Sequence, residues 1–169
     1  MFWLRHAFAI AVLPFTVAVI IPVFIARRNS VVVQVGTSVS EQLTQLVGLL
    51  FLIAGLLLFV ATLRRFAGEG RGTLAPWDPP KELVVRGAYR YVRNPMISGV
   101  LLILTGEALL LLSRAHFVWA LTFFAINAIY IPLLEEPQLA ARFGAAYEEY
   151  CRHVPRLVPR LTPWNRPLD

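Results

Sequence analysis

Four stretches of the chain, roughly 7–26, 43–63, 96–113 and 117–134, are apolar almost without a break. Each is near the ~20 residues that cross a bilayer core as a helix. In hydrocarbon every backbone polar group must be satisfied within its own segment, so these runs are predicted to be transmembrane helices. With 57% hydrophobic and 15% charged residues, the composition excludes an ordinary soluble domain. The expected fold is an all-α integral membrane protein of about four transmembrane helices, with five also compatible. It divides into a first pair of spans (1–66), a cytoplasmic connection with a motif (67–95), a transmembrane hairpin (96–134) and an interfacial helix with an extended tail (135–169). The first run is too long for a signal peptide, and Arg27-Arg28 lacks a small-x-small cleavage pattern.

Charge sets the expected orientation. From Arg64 to Arg93 there are seven Lys and Arg against three acids, and five more arginines follow the last run, so both segments are predicted to be cytoplasmic. Four spans then place both termini on that side. Arg27 and Arg28 fall on the outer side and oppose this, but they are outnumbered. The basic residues of this +6 chain flank apolar runs, a pattern that matches anionic lipid headgroups rather than nucleic acid. His6, His116 and His153 show no ligand spacing, so no metal site is expected. Cys151 stands alone and allows no internal disulfide. Gly68, Gly70 and Gly72 lack the lysine and the preceding strand of a phosphate loop and read as a flexible connection.

Local signals sharpen the boundaries. Ser38 and Glu41 have the spacing of a capping box that opens the second helix, while 31–39 reads as an outer interfacial loop. The third and fourth runs are joined only through Ser113 to His116, so their far ends, Asn94-Pro95 and Glu135-Glu136, return to one surface. Asn94 before Pro95 reads as the N-cap of the third span, whose free N–H groups suit an anion. Pro137 reads as a first helical residue, and Leu139, Phe143, Tyr147 and Tyr150 recur on one face, as in an amphipathic helix lying at the interface. Gly99 and Gly106, seven apart, suit close helix approach. Glu107 is an ionisable group inside a span. It lies ~18 Å from the start of its helix, too far for contact with a ligand held there, with Asn127 as a candidate partner.

Arg90, Arg93 and Arg156, the Glu135-Glu136 pair and several tyrosines thus converge beside a helix N-terminus. Arginine pairs with carboxylate, glutamate accepts from ribose hydroxyls, and a tyrosine face attracts a sulfonium. S-adenosylmethionine carries all of these groups. The chain resembles the isoprenylcysteine carboxyl methyltransferase and phospholipid methyltransferase superfamily of membrane enzymes. The resemblance rests on Gly87, Tyr89, Arg90, Arg93, Pro95 and Gly99, then on Glu135, Glu136, Phe143, Gly144, Tyr147, Tyr150, Val154, Pro155 and Arg156. It covers roughly 76–163, with Ala88, Asn94 and Ile97 standing where the family usually has proline, histidine and tyrosine.

The resemblance implies S-adenosylmethionine as cofactor, held by Tyr89, Arg90, Arg93, Asn94, Pro95, Gly99, Glu135 and Glu136. It implies methyl transfer to a lipidic or amphipathic acceptor among membrane lipids. A carboxylate acceptor needs only positioning, for which Arg156 is the candidate, whereas an amine or thiol wants a base, for which Glu135 or Glu136 is nearest. The competing readings are a sterol-type membrane reductase using a nicotinamide cofactor and a non-enzymatic membrane scaffold or transporter.

Overall fold

A computed structural model describes residues 11–69 and 82–165. Its described part is helical, with no strand among the described residues. A π-helical stretch, Ala11–Ile20, runs into α1 (Ile21–Arg28). Then come α2 (Val39–Glu69), a 3-10 turn (Gly87–Arg90), α3 (Pro95–Leu110) and α4 (Arg114–Tyr130). A π-type turn (Ile131–Glu135) leads into α5 (Glu136–Phe143), followed by α6 (Ala145–His153).

Among the described residues, two continuous helical segments are long and apolar enough to cross a membrane, Val39–Arg65 and Arg114–Phe143. At 1.5 Å per residue the 31 residues of α2 extend ~46 Å, beyond the ~30 Å hydrocarbon core. The apolar α3, at 16 residues, reaches only ~24 Å. Glycines 70 and 72, and most of the expected connection, lie outside the described residues.

The start of α2 follows the predicted capping box. Glu41 N donates to Ser38 Oγ at 3.2 Å, and Glu41 Oε2 accepts from the backbone N–H groups of Ser38 at 3.1 Å and Thr37 at 2.7 Å. Three backbone donors are thereby met at the start of a long helix. The hairpin between α3 and α4 is tighter than its sequence indicates. Leu112 takes the left-handed conformation (φ 48), and Ser113 caps α4 by accepting from His116 N.

α2 and α3 run antiparallel with their backbones in contact, and the reason is glycine on both sides. Gly48 lies against Gly106 and Leu110, and Gly55 lies against Gly99 and Ile103. A Cβ at Gly106 would sit 2.7 Å from Leu52 N, and one at Gly55 would sit 2.8 Å from Gly99 O. Gly99 and Gly106 had marked α3 as a packing helix. Their counterparts Gly48 and Gly55, also seven apart, form the signature on α2 that the sequence reading did not identify.

The N-terminal helical segment is tied to α4 by two side chains. Trp119 Nε1 donates to Val17 O at 3.1 Å, which compensates for Pro22 having no N–H to offer five residues along the π-type spacing. Buried His116 bonds Pro22 O through Nε2 at 3.1 Å; a carbonyl only accepts, so that nitrogen carries the proton, while Nδ1 meets Ser113 Oγ at 2.8 Å.

After α4 the chain departs from expectation. The helix passes Pro132 and Pro137 without stopping, using a π-type turn, so Pro137 does not open a new helix. The break falls at Gly144, whose φ of 54 and ψ of −135 belong to a region that glycine alone enters freely. The single interfacial helix is therefore two. Its apolar face also turns inward: Tyr147 and Tyr150 are buried with Val154 and Trp164, against half-buried Leu139 and Phe143.

Candidate functional site

The segment entering α3 is shaped by Gly87, which takes φ 57 at the head of the 3-10 turn and packs against the Arg65 side chain of α2. A side chain here would meet both backbone strain and that arginine. Asn94 and Pro95 occupy the N-cap and first positions of α3 as expected, but the Asn94 side chain makes no capping bond. Its φ of −119 and ψ of 60 turn it out of the extended geometry from which a cap reaches N2 or N3. Instead its carbonyl accepts from Ser98 N and Ser98 Oγ, both at 3.1 Å. The first turn of α3 is thus left without a capping hydrogen bond from its N-cap side chain.

The two motif segments meet at Glu136. Arg156 holds its carboxylate in a two-pronged pair, Nε to Oε1 and Nη2 to Oε2, each 2.7 Å. Arg93 Nη1 joins at 3.0 Å and also donates to Cys151 Sγ. This geometry is the strong form of arginine–carboxylate recognition, and the bonds to Glu136 push the Arg156 pKa above its ordinary value. Arg93 Nε is buried without a hydrogen-bond partner among the described residues. Glu136 thus occupies the cations predicted to hold a ligand's carboxylate.

The adjacent Glu135 behaves differently. It is half-buried and makes no hydrogen bond or ion pair among the described residues. It lies close enough to act electrostatically on Tyr89, whose phenol is pushed well above its usual range by burial first and by the Glu135 charge second. Successive helical residues point ~100° apart, so two neighbouring glutamates reach different surroundings.

The remaining candidates serve mainly to join the tail to the motif. Arg90 Nε donates to Trp164 O at 3.0 Å, and its guanidinium also bonds Asn165. Three backbone bonds run alongside: Arg93 N to Pro155 O at 2.9 Å, Arg160 N to Tyr91 O at 3.0 Å and Trp164 N to Arg90 O at 3.0 Å. Tyr150 OH donates to Tyr89 O at 2.6 Å, and burial pushes the Tyr150 phenol upward as well. Trp164 stacks on His153 with ring centroids 5.1 Å apart. The prolines at 155 and 159 keep this tail extended, which exposes its backbone groups to the motif.

Arg93, Glu136 and Arg156 are brought together, with Tyr89 and Glu135 as neighbours. Gly99 is not part of this corner, because it faces Phe59 and Gly55 of α2. Asn127 is not the partner of Glu107; it bonds Phe123 O of its own helix at 2.8 Å. Sequence reading missed the contact of Cys151 with Arg93 and the anchoring by Trp164. A lone cysteine and a lone tryptophan carry no spacing that reveals either one.

Residues 43–146 match the family model described as phospholipid methyltransferase. Methanethiol S-methyltransferase 2 of Bradyrhizobium diazoefficiens is 38% identical over 81 residues, covering 48% of this chain and 30% of that protein. Methanethiol S-methyltransferase of Crocosphaera subtropica is 38% identical over 74 residues, covering 42% of this chain and 27% of its own length. The chain therefore matches less than a third of the length of either curated relative.

Proposed function

The chain belongs to the phospholipid methyltransferase family, and on that premise we propose that it is a membrane methyltransferase using S-adenosylmethionine to methylate a thiol of apolar or amphipathic character. The thiol is favoured over a carboxylate or lipid amine by the similarity to the two methanethiol S-methyltransferases. The observation that carries the reading is the division of labour between adjacent glutamates, Glu136 held by two arginines and Glu135 unengaged beside Tyr89.

The residues fit the donor. The uncapped start of α3 and the partnerless Arg93 Nε suit its carboxylate, with Arg156 able to share that anion with Glu136. When bound, S-adenosylmethionine supplies an electrophilic methyl group. The chain's own task is to align the acceptor for in-line displacement, exclude water and remove one proton. Glu135 takes that proton from the acceptor thiol, since its oxygens are not committed elsewhere. Tyr89, Tyr147 and Tyr150 wall the corner and stay protonated, their phenols all raised chiefly by burial.

We further assign the four apolar runs to four spans, with the corner and both termini cytoplasmic, a reading supported by the seven basic residues against three acids in 64–93. The nucleophile's proton gives the test. Glu135→Gln in the full-length, detergent-solubilised protein should lower kcat with an alkanethiol and labelled S-adenosylmethionine by ~100-fold or more while changing donor affinity little. Unchanged kcat in a folded variant would overturn the role of Glu135. Thermal stabilisation by a nicotinamide cofactor and not by S-adenosylmethionine would overturn the donor.

A further inference from the structure

At the other end of the α2–α3 pair, ~18 Å along α3 from Pro95, lies a second polar feature that the methyl-transfer reading does not use. Val33, Val35, Leu46, Leu49 and Leu110 line a groove of about 530 Å³ into which Glu107 is set. Its Oε2 is buried with no hydrogen-bond partner among the described residues. The amide of Gln45, which also lines the groove, is already committed. Gln45 Nε2 donates to Gln34 O at 2.7 Å and Leu110 O at 2.9 Å, and Gln45 Oε1 accepts from Gly36 N at 2.8 Å. Those bonds, with Gln42 Nε2 to Gly36 O at 3.1 Å and the Ser38–Glu41 cap, hold the loop that forms the groove's wall. The site is built in advance, and no donor among the described residues meets Glu107 Oε2.

We propose that this groove binds a long-chain primary amine, with its ammonium on the Glu107 carboxylate and its alkyl chain along Leu46, Leu49 and Leu110. Three observations select that occupant. Apart from Gln34, Gln45 and Glu107 the described lining is apolar, as an alkyl chain requires. The unmet group is an acid, which demands a hydrogen-bond donor and, in low dielectric, gains most from a cation. No Lys or Arg is among the described residues lining the groove, which gives a phosphate-bearing head no counter-charge from them. A carboxylate oxygen buried without a partner on an apolar helix is costly, which is the physical reason to expect a ligand.

The test uses the full-length protein in a nonionic detergent near pH 7, with dodecylamine, dodecanol and dodecyl phosphate as probes and native mass spectrometry counting bound molecules. Dodecylamine should bind at a 1:1 ratio, at least tenfold more tightly than either other probe. Glu107→Gln, which keeps the shape and an acceptor oxygen but removes the charge, should lose at least tenfold in amine affinity. Leu49→Trp, which fills the groove, should lose it too. Absence of amine binding, equal binding of dodecanol, or full affinity in folded Glu107→Gln would each overturn the proposal. None of these readouts involves methyl transfer, so their failure leaves the reading of the arginine–glutamate corner untouched.

Discussion

The α2–α3 interface and the arginine–glutamate corner both hold distant parts of the chain together, yet they do so by opposite means. The interface is backbone against backbone, made possible by four missing side chains at Gly48, Gly55, Gly99 and Gly106. The corner consists of long polar side chains, with Arg93, Arg156 and Arg90 reaching across to Glu136 and the tail. Helices in lipid gain from close packing of small residues and from polar contacts, and this molecule uses mainly the first at the interface, where Gln45 Nε2 also donates to Leu110 O, and the second at the corner. Backbone packing at glycine has one best geometry. Ion pairs can exchange partners, so the place where a charged ligand can be admitted is the corner.

The strongest way to break that contrast is to give the interface a side chain. Gly106→Leu should destabilise by ~3 kcal/mol or more, because the new Cβ would press on Leu52 N and Gly48 O, which are backbone atoms that cannot rotate aside. Thermal unfolding in detergent measures it, and a variant as stable as the parent would mean the helices are not packed this way. A smaller effect sharpens the description of the corner. Arg93→Ala should cost ~2 kcal/mol and Arg156→Ala under ~1, since the Arg93 side chain is 11% exposed and the Arg156 side chain 36%, where solvent screens the pair. Equal losses would contradict the asymmetry of the clamp around Glu136. The smallest effect is expected at Asn94, where Asn94→Ala should change stability by less than ~0.5 kcal/mol rather than the ~1 typical of a lost cap. A full capping loss at this position would show that the side chain does reach the helix.

The helical parts of this arrangement were the most legible in the sequence. Long apolar runs, the Ser38–Glu41 spacing and the seven-residue interval from Gly99 to Gly106 are local patterns, each set by the geometry of one helix. The meeting of Arg93 with Glu136 and Arg156 also followed, from the shortness of the α3–α4 turn and the family resemblance. What could not be read is what depends on a second element. The interval from Gly48 to Gly55 is visible, but nothing in it says that it faces Gly99 and Gly106. Glu135 and Glu136 are equivalent as letters and differ only in what surrounds each. Gly144 sits among good helix formers, so its break shows only in the backbone angles.

The carbonyls of Arg90 and Tyr91 find their partners in Trp164 and Arg160, some seventy positions further along the chain. During synthesis, α2, α3 and α4 can therefore form and pair while the motif still has open hydrogen-bonding groups. The corner is completed only when the polypeptide through Trp164 has emerged from the ribosome. Assembly of the scaffold and completion of the site are separated in time by the order of the gene, and a shortened product could be inserted and stable yet have no finished site.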